Sequence, residues 1–200
     1  MTDAGLAVAS QARAVAIICM LVSGLSGTAS VTEAVTFSDS SSRTMESLPH
    51  GTPTADLLAR LTELKARAMQ PDRGIRAAVL LVLAVSLFFT FVSAGRVLRP
   101  AGLPREGIRK LLCAGALASA VLRTIDGAAD AAFSLRMAKL APGLFPSDAR
   151  LSEPWVGFAL TGGFSIVPTL LVAGTLAIVA QYFRSARGKA WAALHDEPGR

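Results

Sequence analysis

The sequence predicts an all-α integral membrane protein: a four-helix bundle with a short amphipathic external helix. Three observations carry this. The apolar residues, 52% of the 200 in the chain, fall into four long blocks. Each block is close to the roughly 20 helical residues that cross about 30 Å of hydrocarbon. Charged or Pro/Gly/Ser-rich stretches separate them. This distribution excludes a disordered chain, a disulfide-rich secreted module and an ordinary soluble domain.

The first span is expected at about residues 14–34. A rival reading takes Arg13, the apolar run and the small residues Gly27-Thr28-Ala29-Ser30 as a secretory signal with a cleavage site. The block runs on to Val31 and Ala34, which favours a retained anchor. The second span, about 75–95, is the cleanest, and the third is expected at about 111–133. The fourth is expected at about 166–184. Proline is tolerated in a first helical turn, so Pro168 suggests a start near Ile166 with Ser165 as N-cap. Trp155 to Leu160 then forms an interfacial lead-in.

Between the first two spans lies the largest extramembrane piece. Its first half is Ser-rich and ends Pro49-His50-Gly51-Thr52-Pro53, a turn composition. Its second half, about 54–69, predicts the external helix. Leu57, Leu58, Leu61 and Leu64 form one stripe, with Arg60, Glu63, Lys65 and Arg67 elsewhere around the wheel. The helix reads either as a sensor or docking helix for an external ligand or partner, or as one lying on the outer leaflet or capping the bundle. The second is favoured because a leucine stripe needs only an apolar cover. About 40 residues hold no core for an independent domain.

Orientation follows from the basic residues. The short connection after the second span carries Arg96, Arg99, Arg105, Arg109 and Lys110, and the tail carries Arg184, Arg187 and Lys189. Short loops dense in Lys and Arg stay cytoplasmic, so both termini are expected inside. Without aromatic interleaving or a nucleic-acid motif, these residues do not predict direct nucleic-acid binding.

Charged side chains at membrane depth are costly and turn to the protein interior. In the third span Arg123, Asp126 and Asp130 stand at i, i+3 and i+7, hence on one helical face. Leu112, Ala116, Ser119, Gly127 and Ser134 extend that stripe, as a packed interface requires. In the first span Ser23, Ser26 and Ser30 follow helical spacing, with Glu33 at the outer end. The candidate intramembrane cluster is therefore Glu33, Arg123, Asp126 and Asp130. Two readings compete: a proton, ion or ligand site, and a structural ion pair that fixes helix register.

No residue pattern points to catalysis. His50 and His195 lack an H-E-x-x-H partner, and no Walker or G-x-S-x-G motif occurs. Asp126 and Asp130 share one helix and make a poor facing dyad. Cys19 and Cys113 lie inside spans without metal-ligand spacing, so they read as small buried residues. No catalytic residue, metal or cofactor is expected.

Three segments carry a resemblance. They are Gly95-Arg96-Val97-Leu98-Arg99-Pro100-Ala101-Gly102-Leu103-Pro104, then Gly107-Ile108-Arg109-Lys110-Leu111-Leu112, and Ile178-Val179-Ala180-Gln181-Tyr182-Phe183-Arg184-Ser185-Ala186-Arg187. With the four-span layout they resemble an uncharacterised family of small bacterial inner-membrane proteins, of the YoaS type, a domain of unknown function. The resemblance implies a multi-pass inner-membrane protein with no catalytic residues. Some relatives are encoded beside a small helix-turn-helix regulator, which implies a regulatory partner.

The function expected is that of a non-enzymatic interaction, sensor or accessory subunit. Its partners are the lipid bilayer and a membrane or regulatory protein. The alternative is a small oligomeric transporter or channel-like protein, a homo-oligomer that uses the third-span charges.

Overall fold

A computed structural model describes residues 3–39, 73–99, 104–140 and 164–193. These form five helices: α1 (Asp3–Asp39), α2 (Arg73–Leu98), α3 (Arg105–Leu140), α4 (Phe164–Arg184) and α5 (Ala186–Ala193). Four are long and apolar enough to cross a membrane, over Gly5–Val35, Gly74–Leu98, Arg105–Met137 and Ile166–Arg184. The chain is thus an all-α membrane bundle. The external helix expected at about 54–69 lies outside the described residues, as does the lead-in from Trp155.

The helices run past their expected ends. α1 has 37 residues and α3 has 36. At 1.5 Å per residue each is about 55 Å long, well over the hydrocarbon thickness. Hydropathy marks the length a bilayer covers, whereas helical backbone bonding continues until a breaker stops it. α1 passes unbroken through Gly27 to Ser30. α2 closes with Arg99 N–H donating to the Gly95 carbonyl at 3.2 Å, just before Pro100. α3 opens on Pro104, whose carbonyl accepts from Ile108 N–H at 3.2 Å. Glu106 sits in the first turn, where the helix dipole favours an acid.

α4 begins at Phe164, two residues before the expected start, so Ser165 lies inside the helix and is not its N-cap. Pro168 is then the fifth helical residue. The first four N–H groups of a helix have no intrahelical partner, so the proline removes a single bond, the one to the Phe164 carbonyl.

The chain divides into two compact units, and α1 to α4 contribute to both. The first comprises Met1–Val31, Leu81–Arg123 and Leu171–Arg200. Its core runs through Cys19, Leu83, Leu87, Leu112, Leu176 and Phe183, all fully buried. On α2 the buried positions Leu83, Leu87, Thr90, Ala94 and Val97 alternate steps of four and three. That is the seam of left-handed helix packing. Small residues let the backbones approach: a Cβ on Gly24 would lie 3.3 Å from Phe91, and one on Gly27 would lie 3.5 Å from Leu87. The opposite faces carry Leu25, Val85, Phe88 and Ile178, all strongly exposed. Large apolar side chains on the outer faces, with small residues where the backbones approach, are what a lipid solvent selects.

The second unit comprises Thr32–Leu80 and Thr124–Leu170. Its apolar core among the described residues is small, Ala34 against Leu80. Its interior is mostly polar: Arg76, Asp126, Ser134 and Thr169 are all buried.

Candidate functional site

The second unit gathers charge from three helices. Arg76, in the first turn of α2, points its guanidinium between Glu33 of α1 and Asp130 of α3. Its Nη2 donates to Glu33 Oε1 at 3.0 Å and to Asp130 Oδ1. The Arg76 side chain is only 7% exposed, against 36% for Glu33 and 18% for Asp130. The guanidinium also lies over the Phe133 ring, 5.9 Å from its centroid, within cation–π range. An arginine stays charged and has five donors in a fixed fork, so it suits two carboxylates at once.

Two of the four expected site residues, Glu33 and Asp130, are therefore joined. Asp126 is completely buried on the same face of α3. Arg123 is the last α3 residue of the first unit and is half-buried there. Arg76, which is not one of the four, brings a cation to both Glu33 and Asp130. Arg76 falls at the start of the expected second span and is not among the four residues that the sequence singles out. A signal for it exists: Arg76 and Leu80 continue the seam of Leu83 and Leu87 on α2 by about two turns, in steps of four, three and four.

α3 and α4 close on each other beside this cluster. A Cβ on Gly127 would collide with the Thr169 side chain, which is itself buried. We expect Gly127→Val to destabilise the protein by about 1–3 kcal/mol, the usual cost of overpacking. Thr169→Gly in the same chain should recover most of that loss in a detergent melt. If the double variant melts no higher than Gly127→Val, the contact is not the cause.

Polar groups in the first unit also bond helix to helix. Ser86 and Ser119 hydroxyls meet at 2.8 Å, and Thr90 meets Ser119 at 3.2 Å, joining α2 to α3. A Cβ on Gly115 would lie 2.8 Å from Thr90 Oγ1, so this junction tolerates only glycine there without a shift. At the start of α3, Arg109 makes a two-bond fork to Glu106, 2.7 Å from Nε and 2.6 Å from Nη2. Its Nη1 donates to the Phe183 carbonyl on α4 at 2.6 Å. That carbonyl belongs to the last turn of α4, where it has no backbone partner within the helix. Cys113 Sγ donates to the Ala180 carbonyl at 3.6 Å one turn earlier. Cys19 is fully buried, as its place in a span predicts.

Among the described residues, no three His, Cys, Asp or Glu side chains gather as a metal site would need. The bonds of Arg76, Ser119 and Arg109 described above each join different helices. No family model matches the chain, and no curated protein or solved structure matches it.

Proposed function

We propose that this protein is a non-enzymatic interaction, sensor or accessory subunit of the bacterial inner membrane, a YoaS-type four-span protein with both termini cytoplasmic. The observation that carries the reading is the junction of Glu33, Arg76 and Asp130. A transport relay needs groups that exchange protons or ions as they work. A guanidinium does not deprotonate in proteins, and this one is held by carboxylates of two other helices. Such a cross-link sets the register of three helices and leaves the lipid-facing surface to a partner. The short Arg-rich segment from Arg96 to Lys110 supports the orientation.

The competing reading is a small oligomeric transporter. Purified protein in liposomes under a pH or sodium gradient separates the two. The accessory reading expects no flux above that of protein-free liposomes. It also expects a membrane or regulatory protein to co-purify at fixed stoichiometry from gently solubilised membranes. Gradient dissipation by a homo-oligomer, abolished by Asp126→Asn with the melt unchanged, would establish the transporter instead. A fluorescent protein fused after Arg200 should glow in cells, as it does only when cytoplasmic.

A further inference from the structure

We propose that the α4–α5 end of the first unit is a binding site for anionic phospholipid headgroups, built by docking the basic tail onto the bundle. The inference rests on the membrane location and not on the accessory reading.

The site begins with a turn. Ser185 N–H is shared between the Gln181 carbonyl at 3.0 Å and the Tyr182 carbonyl at 3.1 Å, and its hydroxyl donates to Tyr182 O at 2.6 Å. The Ser185 carbonyl then accepts from Lys189 N–H at 3.1 Å and starts α5. One serine closes α4 and opens the next helix, a role that suits its local hydrogen bonding. The turn is tight. A Cβ on Gly188 would come within 2.7 Å of the Phe183 Cα and of the Phe183 and Tyr182 carbonyl oxygens. Those are backbone atoms and cannot give way, so only glycine lets α5 lie this close.

Docking then orders the tail. Trp191 is 2% exposed and meets the Phe183 ring edge-on, with centroids 6.0 Å apart and planes at 80°. The Arg105 guanidinium covers the Trp191 ring at 5.5 Å, tying the start of α3 to α5. With Trp191, Ala192 and Gly188 turned inward, Arg184, Arg187 and Lys189 stand exposed. Arg96, Arg99 and Lys110, at the facing ends of α2 and α3, are exposed in the same unit. Over Arg96–Lys110 and Arg184–Ala193, Glu106 is the one acidic residue among the described ones, and it is engaged by Arg109 and Lys110.

A flexible basic tail needs only to be positive to fix topology. A tail folded around a buried tryptophan holds its cations in place before the ligand arrives, which lowers the ordering cost of binding. At a membrane surface the anion in excess is the lipid phosphate, and each basic residue there adds attraction to it.

The test uses the full-length protein in a nonionic detergent, where no membrane sidedness exists and the topological role of the charges falls away. Phosphatidylglycerol, phosphatidylcholine and inorganic phosphate are added separately. Retained lipid is read by native mass spectrometry, and stability by thermal melt. Phosphatidylglycerol should stay bound at fixed stoichiometry and raise Tm, while the other two should do neither. R184Q/R187Q/K189Q should reduce retention at least tenfold without altering the lipid-free melt. Should that variant not fold, R187E, changed at one exposed position, should reduce retention at least threefold. Gly188→Leu keeps every cation but displaces α5, and should lower retention to the level of the triple variant. Equal retention of phosphatidylcholine, undiminished retention by the charge variants, or full retention by Gly188→Leu would each overturn the proposal. An equal Tm rise with inorganic phosphate would also overturn it, by making this a site for the free ion.

Discussion

Arg76→Ala should destabilise the protein more than removal of either acid alone. It leaves Glu33 and Asp130 without the guanidinium that joins them. Breaking a buried ion pair by removing one partner costs about 3–5 kcal/mol. The Glu33 side chain is about a third exposed, so the lower end, about 3 kcal/mol, is the expected value. Glu33→Gln should cost less than Asp130→Asn, because Asp130 is the more buried of the two acids. The triple variant Glu33→Gln, Arg76→Met, Asp130→Asn should melt above Arg76→Ala, since it also removes the two carboxylates that Arg76→Ala deprives of their shared guanidinium. Reversible unfolding in mixed micelles reads all four. A triple variant as unstable as Arg76→Ala would show that the charges contribute beyond cancelling each other.

The second large effect is expected at Phe183→Ala. This ring is fully buried and contacts the rings of Tyr182, centroids 5.2 Å away, and Trp191. In water-soluble cores Phe→Ala costs about 3–5 kcal/mol. Between membrane helices the hydrophobic part of that cost is absent, because lipid is as apolar as the core. The lost contacts and the cavity remain, and about 2 kcal/mol is the expected value. The change should also release α5. With Trp155→Phe as background, Trp191 is the sole tryptophan of the chain. Its emission should shift to the red and become accessible to an aqueous quencher in Phe183→Ala. An unmoved spectrum would mean that α5 is held by Arg105 and its own backbone turn.

Much of the packing is legible in the spacing of side chains. On α3 the stripe through Leu112, Ala116, Ser119, Asp126, Gly127 and Ser134 is the buried face. On α1 Ser23 and Ser30 are buried, and Glu33 lies at the edge of the same face. A helix places residues three and four apart together whatever its surroundings, so a face is a local property. The ends of the helices are less legible. α4 starts before its apolar run, and α1 continues beyond both ends of its own. Backbone bonding is indifferent to hydropathy once a helix has begun. Gly24 and Gly27 lack the four-residue step of a GxxxG motif, yet both meet α2, at Phe91 and Leu87. Three residues along a helix keep side chains on one face as four do.

By itself the sequence determined the all-helical class, the four membrane-length segments and the inward faces of α1 and α3. Those features depend on composition and period along one segment, and a lipid solvent enforces both. Which cation meets which carboxylate was decided by the tertiary structure alone. Arg76 is 43 residues from Glu33 and 54 from Asp130. Pairing across helices depends on the height at which each side chain crosses the bundle. That height follows from helix register, which no single segment encodes. The docking of α5 has the same origin. Eight residues of mixed character carry little helical signal. They fold because Phe183, Arg105 and the absent side chain of Gly188 together make a place for Trp191.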